Sequence, residues 1–318
     1  MKRIHILVKN EMIKIFGQKK YLIMLSVIFL LVILQIILTD HFDKTKNLDW
    51  QPIANNQIES YKLQLNNMPP EMQESMGAEM KREIEKLQYA LDNQNSTLYV
   101  SNFFSAVKST FVFSIAVTIF SIALICECIG NEFTQKTIKQ LLIQKYKRSE
   151  ILFSKVLTVI VIAMCLFLSI IVLSSVINAF LYQFDFGENS ILYFNKQNQI
   201  TEKSYYMYLF QSFIFNIIEV IVYILIGACF AVVSRSTSVS ILFSILIYLG
   251  GTIVTSIYES KWEVIKYFLL YNLDLQSFVL NEGNFWNVSL LFSLVNILIY
   301  VLVLLFVMYH NFVRRDVY

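Results

Sequence analysis

Charged side chains are scarce in this sequence. Only 15% of the 318 residues are charged, whereas 56% are apolar; a typical soluble protein carries about 25% charged residues. A soluble surface needs charge to stay hydrated, so this deficit excludes an ordinary soluble globular domain. Several apolar runs reach about 18 residues, the length that predicts membrane-spanning helices. The sequence therefore predicts an all-α integral membrane protein.

Motifs for catalysis are missing as well. No Gly precedes Lys-Ser or Lys-Thr, so the phosphate-binding loop G-x-x-x-x-G-K-[ST] is absent. H-E-x-x-H and G-x-S-x-G are also absent. The cysteines lie in or beside apolar runs, and Cys126-Glu127-Cys128 lacks the other ligands of a closed zinc site. We therefore expect no catalytic residue, no metal site, no disulfide framework and no cofactor in this chain.

The apolar runs predict six spans within one domain that covers residues 1–318. In order, the spans are Tyr21–Leu38, Thr110–Gly130, Val156–Leu181, Tyr208–Val232, Thr237–Ile257 and Val288–Tyr309. An even number of spans places both termini on one side of the membrane.

Charge asymmetry predicts which side that is. The side with the termini (residues 1–20, 126–155, 233–236 and 310–318) carries 15 Lys and Arg against 5 acids. The other side (residues 39–109, 183–204 and 258–286) carries 11 Lys and Arg against 17 acids. The excess of basic residues predicts that both termini are cytoplasmic.

Three polar regions flank these spans. Residues 1–18 have the spacing of an amphipathic helix, which either lies in the membrane interface or extends span 1 into the cytosol. Residues 39–108 form an external insertion, in which an amphipathic helix follows Pro69-Pro70 and Gln57–Leu65 offers a helical partner. The methionines of this insertion suit either an adaptable binding surface or simple helix packing. Residues 258–286 predict short re-entrant or interfacial helices on the external side.

Residues 130–155 form the most informative segment, a polar stretch between spans 2 and 3. A short helix over Phe133–Ile143 is predicted to present apolar side chains amid polar ones, which suits a groove in a partner protein with a charged rim around it. The side chains assigned to this contact are Glu132, Phe133, Thr137, Ile138, Leu141, Leu142 and Arg148. An ordinary solvated loop helix is the alternative.

This segment resembles the coupling region of ABC-2 type permeases, which often reads Glu-Phe-x-x-Gly-Thr-[Ile/Leu]-x-x-Leu-Leu before a turn with Pro-x-Ser-Arg and a later Lys. The matching residues are Glu132, Phe133, Thr137, Ile138, Leu141, Leu142, Arg148, Ile151 and Lys155. The chain departs from the pattern at Lys136, Lys145 and Lys147, so the coupling helix is expected to leave the membrane at a different angle. Phe312-Val-Arg314-Arg315-Asp316 also resembles that family's C-terminus.

The resemblance implies a permease subunit of an ATP-driven exporter in the bacterial cell membrane. It implies a separate ATPase subunit that binds ATP-Mg, a second permease copy or a homologous permease, and export of peptides or antibiotics. The lipid bilayer is a further expected partner, and we expect no nucleic-acid partner. The alternatives are a membrane-bound sensor or immunity protein and an ion-coupled carrier, although the internal repeat expected of a carrier is not seen.

Glu219 is an acidic residue in the middle of predicted span 4. An acid at membrane depth is costly unless it is shielded, paired or protonated. Ser212, Asn216, Glu219 and Tyr223 recur at helical steps on one stripe, which should face the bundle or water. The stripe is predicted either to line a translocation path or to form an intramembrane polar cluster.

Overall fold

The computed structural model describes residues 2–42, 50–69, 76–94, 103–134, 146–182, 189–195, 199–258, 262–280 and 288–314. Of these described residues, 86% are helical. The helices of its first half are α1 Lys2–Gly17, α2 Lys20–Phe42, α3 Trp50–Asn66, α4 Met76–Asp92, α5 Phe103–Ser109, α6 Ser114–Thr134 and α7 Arg148–Leu181. Strands β1 Ser190–Phe194 and β2 Ile200–Ser204 precede α8 Tyr205–Ser234, α9 Thr237–Tyr258, α10 Leu269–Asn272 and α11 Leu290–Tyr309.

Six of these helical stretches are long and apolar enough to cross a membrane, which confirms the predicted all-α, multi-pass membrane fold. Span 1 is α2, span 2 runs from α5 through α6, and spans 3 to 6 are α7, α8, α9 and α11. The spans differ in the share of residues that is buried inside the protein over their most apolar stretch. This share is 61% in span 4 and 11% in spans 1 and 6. Span 4 is therefore the central helix, and spans 1 and 6 offer most of their surface to lipid.

The two ends of this bundle differ in structure. The terminal end carries α1, the end of α6 and the start of α7, together with the turn between α8 and α9 and the end of α11. The distal end carries α3, α4, the strands and residues 262–280.

The distal end carries the helical insertion between spans 1 and 2. Helices α3 and α4 pack against each other through Ile58, Ile84 and Leu87, which are all buried. Arg82 and Lys86 of α4 lie 5.7 Å and 5.8 Å from the ring centre of Phe194 in β1. Cation–π contacts therefore attach the α3–α4 pair to the strands.

The strands form an antiparallel hairpin that the sequence did not predict. Ser190 pairs with Ser204 and Phe194 with Ile200. The usual alternation of buried and exposed residues is broken in β1, because the adjacent Ile191 and Leu192 are both buried. The hairpin is a small addition to the all-α membrane fold that the sequence predicts.

Residues 262–280 form short helical pieces that enter the bundle. Turns of 3-10 helix at Glu263–Tyr267 and Gln276–Phe278 flank α10. Leu269, Leu273 and Leu275 are buried here. A Cβ atom on Gly251 of span 5 would lie 2.3 Å from Leu270 Cδ1, so the glycine allows this segment to pack directly on span 5.

Candidate functional site

The terminal end contains a fully buried lysine. The Lys155 side chain is 0% exposed, and its Nζ donates to Glu132 Oε1 at 2.5 Å and to Glu11 Oε1 at 2.9 Å. Lys14 Nζ lies 3.9 Å from the same oxygen of Glu132. We call Glu11, Lys14, Glu132 and Lys155 the Lys155 cluster. It joins α1, the end of span 2 and the start of span 3.

The lengths of the helices explain why this cluster is tolerated. Span 3 has 34 residues and is therefore about 51 Å long, whereas the hydrocarbon core of a bilayer is about 30 Å thick. Lys155, in the third turn of span 3, can thus lie near the membrane boundary rather than at its centre. Helix α1 covers it there, with Leu7 and Ile15 buried on the same face as Glu11.

A second ion pair lies beside the cluster. Lys20, at the start of span 1, donates to Glu127 of span 2. A small cavity of about 90 Å³ separates the two ion pairs, and Lys14, Gln18, Asn131 and Glu132 contribute to its lining. Span 1 is therefore attached to the same region of span 2 as α1.

The end of span 2 also contacts spans 5 and 6. Thr237 Oγ1 donates to Asn131 Oδ1 at 2.9 Å. A Cβ atom on Gly130 would lie 2.8 Å from Thr237 Cα, so the two helix ends are in direct backbone contact. The Phe133 ring packs edge-on against Phe312, with 6.2 Å between centroids. The last turn of span 2 thus contacts span 3 through Glu132, span 5 through Gly130 and Asn131, and span 6 through Phe133.

This geometry corrects the predicted role of Glu132. We expected Glu132 on the charged rim of a partner-binding helix, but it is 4% exposed and bonds Lys155. We expected a short helix to begin at Phe133, yet α6 runs unbroken to Thr134. Both residues therefore belong to span 2, because its helical hydrogen bonding continues past Gly130 and turns Glu132 towards α1 and span 3.

The other residues assigned to the coupling segment divide into two groups. Thr137, Ile138, Leu141 and Leu142 lie outside the described residues. Arg148 is the first residue of span 3. The backbone N–H of Lys147 donates to the Glu150 carboxylate at 2.9 Å, which caps the start of this helix.

The predicted polar stripe lies on one side of span 4. Ser212, Asn216 and Tyr223 are buried, and Glu219 is partly exposed. The Tyr223 ring packs edge-on against the Tyr248 ring of span 5, with 4.7 Å between the ring centroids. Gln276, in the segment that enters the bundle, donates through Nε2 to the carbonyl oxygen of Ser212 at 3.1 Å. The stripe therefore faces protein, and the structure places Tyr248 and Gln276 against it.

Sequence reasoning missed Lys155 and Glu11 of the Lys155 cluster for different reasons. Lys155 was taken only as part of the family pattern, just outside predicted span 3, although a lysine beside a long apolar run signals a need for a counter-ion. Glu11 lies 144 positions from Lys155, and no local pattern links the two.

Comparisons with known proteins identify similar chains. The family model described as "Protein of unknown function (DUF2705)" matches residues 73–318. Two proteins of Bacillus subtilis (strain 168) are similar over most of their length. "Uncharacterized protein YhcI" is 25% identical, with 98% of each chain covered. "Uncharacterized membrane protein YdbK" is 24% identical over 68% of this chain and 84% of that protein. No solved structure matches this chain.

Proposed function

This chain belongs to the DUF2705 family, and we propose that it is the permease subunit of an ATP-driven exporter in the bacterial cell membrane. A separate ATPase subunit would bind residues 135–145, and a second permease copy or a homologue would complete the pathway. The resemblance of residues 130–155 to the ABC-2 coupling region suggests this function. The structural observation that supports it is the position of the Lys155 cluster.

The Lys155 cluster brackets the proposed docking segment. Glu132 precedes residues 135–145, Lys155 follows them, and the two side chains bond each other. A displacement of the segment would therefore act on spans 2 and 3 together, and on α1 through Glu11. An isolated surface loop has no such connection to the bundle.

Span 2 provides a route from that segment to the centre of the molecule. It contacts span 5 through Asn131 and Thr237. It packs closely on span 4, where a Cβ atom on Gly227 would lie 2.9 Å from Ile125 Cγ2. Closure of an ATPase dimer on ATP would thus reach span 4, which carries Glu219, by rigid-body movement of packed helices.

Co-purification from the native host tests the proposed contact. The tagged chain should retain an ATPase with a phosphate-binding loop, and Leu141→Ala with Leu142→Ala should reduce its recovery at least tenfold. Burial of each leucine is worth about 1.5–3 kcal/mol, and about 1.4 kcal/mol corresponds to tenfold in affinity.

A matched control is Leu291→Ala with Leu298→Ala on the outer surface of span 6, where these side chains are 73% and 56% exposed. This variant should retain the ATPase. If the Leu141→Ala, Leu142→Ala variant recovers as much ATPase as the wild-type chain does, the docking assignment is contradicted. A wild-type chain that binds no ATPase would favour the sensor or immunity alternative.

A further inference from the structure

Helix α1 turns one apolar stripe away from the bundle. Ile6, Ile13 and Phe16 are spaced seven and three residues apart, which places them on one side of the helix. They are 48%, 59% and 43% exposed, and Lys9 lies exposed on the same side. We call Ile6, Lys9, Ile13 and Phe16 the outer stripe of α1. An exposed apolar stripe of this kind marks a surface that binds a protein or a membrane.

The outer stripe continues into the lipid-facing surface of span 1. The Phe16 ring packs edge-on against Tyr21, at the start of span 1, with 4.9 Å between the ring centroids. The next two residues, Leu22 and Ile23, are exposed. Span 1 has few residues buried inside the protein and therefore faces lipid. Because the stripe joins that surface, lipid is the occupant that the structure favours.

The position of α1 also suits a membrane surface. The helix ends at Gly17, and Lys19 then adopts a left-handed backbone conformation with a φ of 57°, so the chain turns between α1 and span 1. Helix α1 runs against the start of span 3, where Glu11 covers Lys155 near the membrane boundary. A helix in this position buries its apolar side among the headgroups and the upper acyl chains.

The outward charge of this region is positive. Residues 1–20 contain six Lys and Arg residues and one acid, Glu11, and α1 turns that acid inward to Lys155. Lys9 and Lys19 are exposed and form no ion pair with the described part of the chain. Basic residues at a membrane surface attract anionic lipids. A lysine can also lay its apolar stem along the stripe while its ammonium group reaches the headgroups.

We propose that the outer stripe of α1, together with Lys19, binds the headgroups of anionic phospholipids at the membrane interface. Because Glu11 of the same helix holds Lys155, which in turn holds Glu132, bound lipid also holds α1 against spans 2 and 3. Lipid binding requires neither an ATPase nor a cargo, so it is independent of the exporter function.

Hydrogen–deuterium exchange, measured by mass spectrometry on the full chain in lipid nanodiscs, tests this surface. One nanodisc contains phosphatidylcholine alone, and the other contains equal parts of phosphatidylcholine and phosphatidylglycerol. Backbone amides of residues 4–16 should exchange at least fivefold more slowly with phosphatidylglycerol present, because bound headgroups oppose local opening of α1. Sodium chloride at about 0.5 M should reduce this difference, since salt screens exposed charges.

Lys9→Gln with Lys19→Gln should remove most of the lipid difference, because it takes two positive charges from the outward surface and leaves the Lys155 cluster intact. Lys62→Gln with Lys81→Gln is the matched control, since these lysines are exposed on α3 and α4 at the distal end. The control variant should keep the full difference in the exchange of α1.

Ile6→Gln with Ile13→Gln tests the apolar part of the stripe and should speed the exchange of α1 at least fivefold in phosphatidylglycerol. Equal exchange of α1 in the two nanodiscs, or an unchanged lipid difference in the Lys9→Gln, Lys19→Gln variant, would overturn the proposal. Protection of α1 that appears only after the ATPase is added would assign the stripe to a protein partner instead. The comparison of the two lipids uses the wild-type chain, so it decides the matter even if a variant fails to fold.

Discussion

Lys155 is a buried cation held by carboxylates from two other helices. Removal of one member of such a group leaves uncompensated charge, whereas replacement of the whole group by apolar residues is often neutral or stabilising. The group is therefore weak evidence for stability as such. Its value in this fold is that it fixes how α1, span 2 and span 3 lie relative to one another.

Lys155→Met should lower the free energy of unfolding by about 3–5 kcal/mol, because the buried Glu132 carboxylate and the partly buried Glu11 carboxylate lose their cation. Combining it with Glu11→Leu and Glu132→Leu should restore much of that loss. Chemical denaturation in detergent measures both effects. Lys266→Met is the control: it removes an exposed pair with Glu263, and exposed ion pairs contribute little to stability.

The same variants separate stability from coupling. If the charges transmit movement, the triple replacement should be stable yet fail to support substrate-stimulated ATP hydrolysis in the reconstituted complex. Wild-type hydrolysis in the triple replacement would show that the cluster serves only the fold.

At the scale of elements, the contact between spans 2 and 5 depends on Gly130. A methyl group there would overlap Thr237, with 2.7 Å to its Oγ1 and 2.8 Å to its Cα. Gly130→Ala should therefore destabilise the chain by about 1–3 kcal/mol through overpacking, since a backbone atom cannot rotate away.

Gly250→Ala in span 5 is the matched comparison, because nothing lies within 4 Å of its added methyl group. It should be neutral or slightly stabilising, as alanine favours helix. Thermal unfolding in detergent compares the two variants. Similar melting temperatures for both would mean that spans 2 and 5 separate easily at this end.

The elements differ in how well the sequence predicts them. Long apolar runs and a 3.6-residue period fix the spans and the α3–α4 pair, because these signals are local. The hairpin was missed because the pattern of β1 does not alternate. Glu132 was misplaced because the end of a helix depends on what covers it, and its covering helix, α1, lies far away in sequence. Gln276 was not linked to Ser212 because their contact depends on how residues 262–280 enter the bundle.

For the whole molecule, two polar regions lie at different levels of one packed bundle. The Lys155 cluster lies at the terminal end, and the polar stripe of span 4 lies between the middle of that span and the distal end. Span 4, the most buried span, contacts span 2 closely at Gly227. An exporter requires such a connection, because events at an ATPase must change access at the cargo site.

The most direct test of the central claim is ATP-dependent access to residue 274 at the distal end, where the Asp274 side chain is exposed. Asp274→Cys, in a chain whose four native cysteines are replaced by alanine, would report this through its rate of reaction with an impermeant maleimide. The measurement uses the complex purified with its ATPase, with and without ATP and vanadate. We predict that trapping the ATP-bound state changes the labelling rate several-fold and that Leu141→Ala with Leu142→Ala abolishes the change. An identical labelling rate in both nucleotide states would contradict coupling between the ends and, with it, the exporter function.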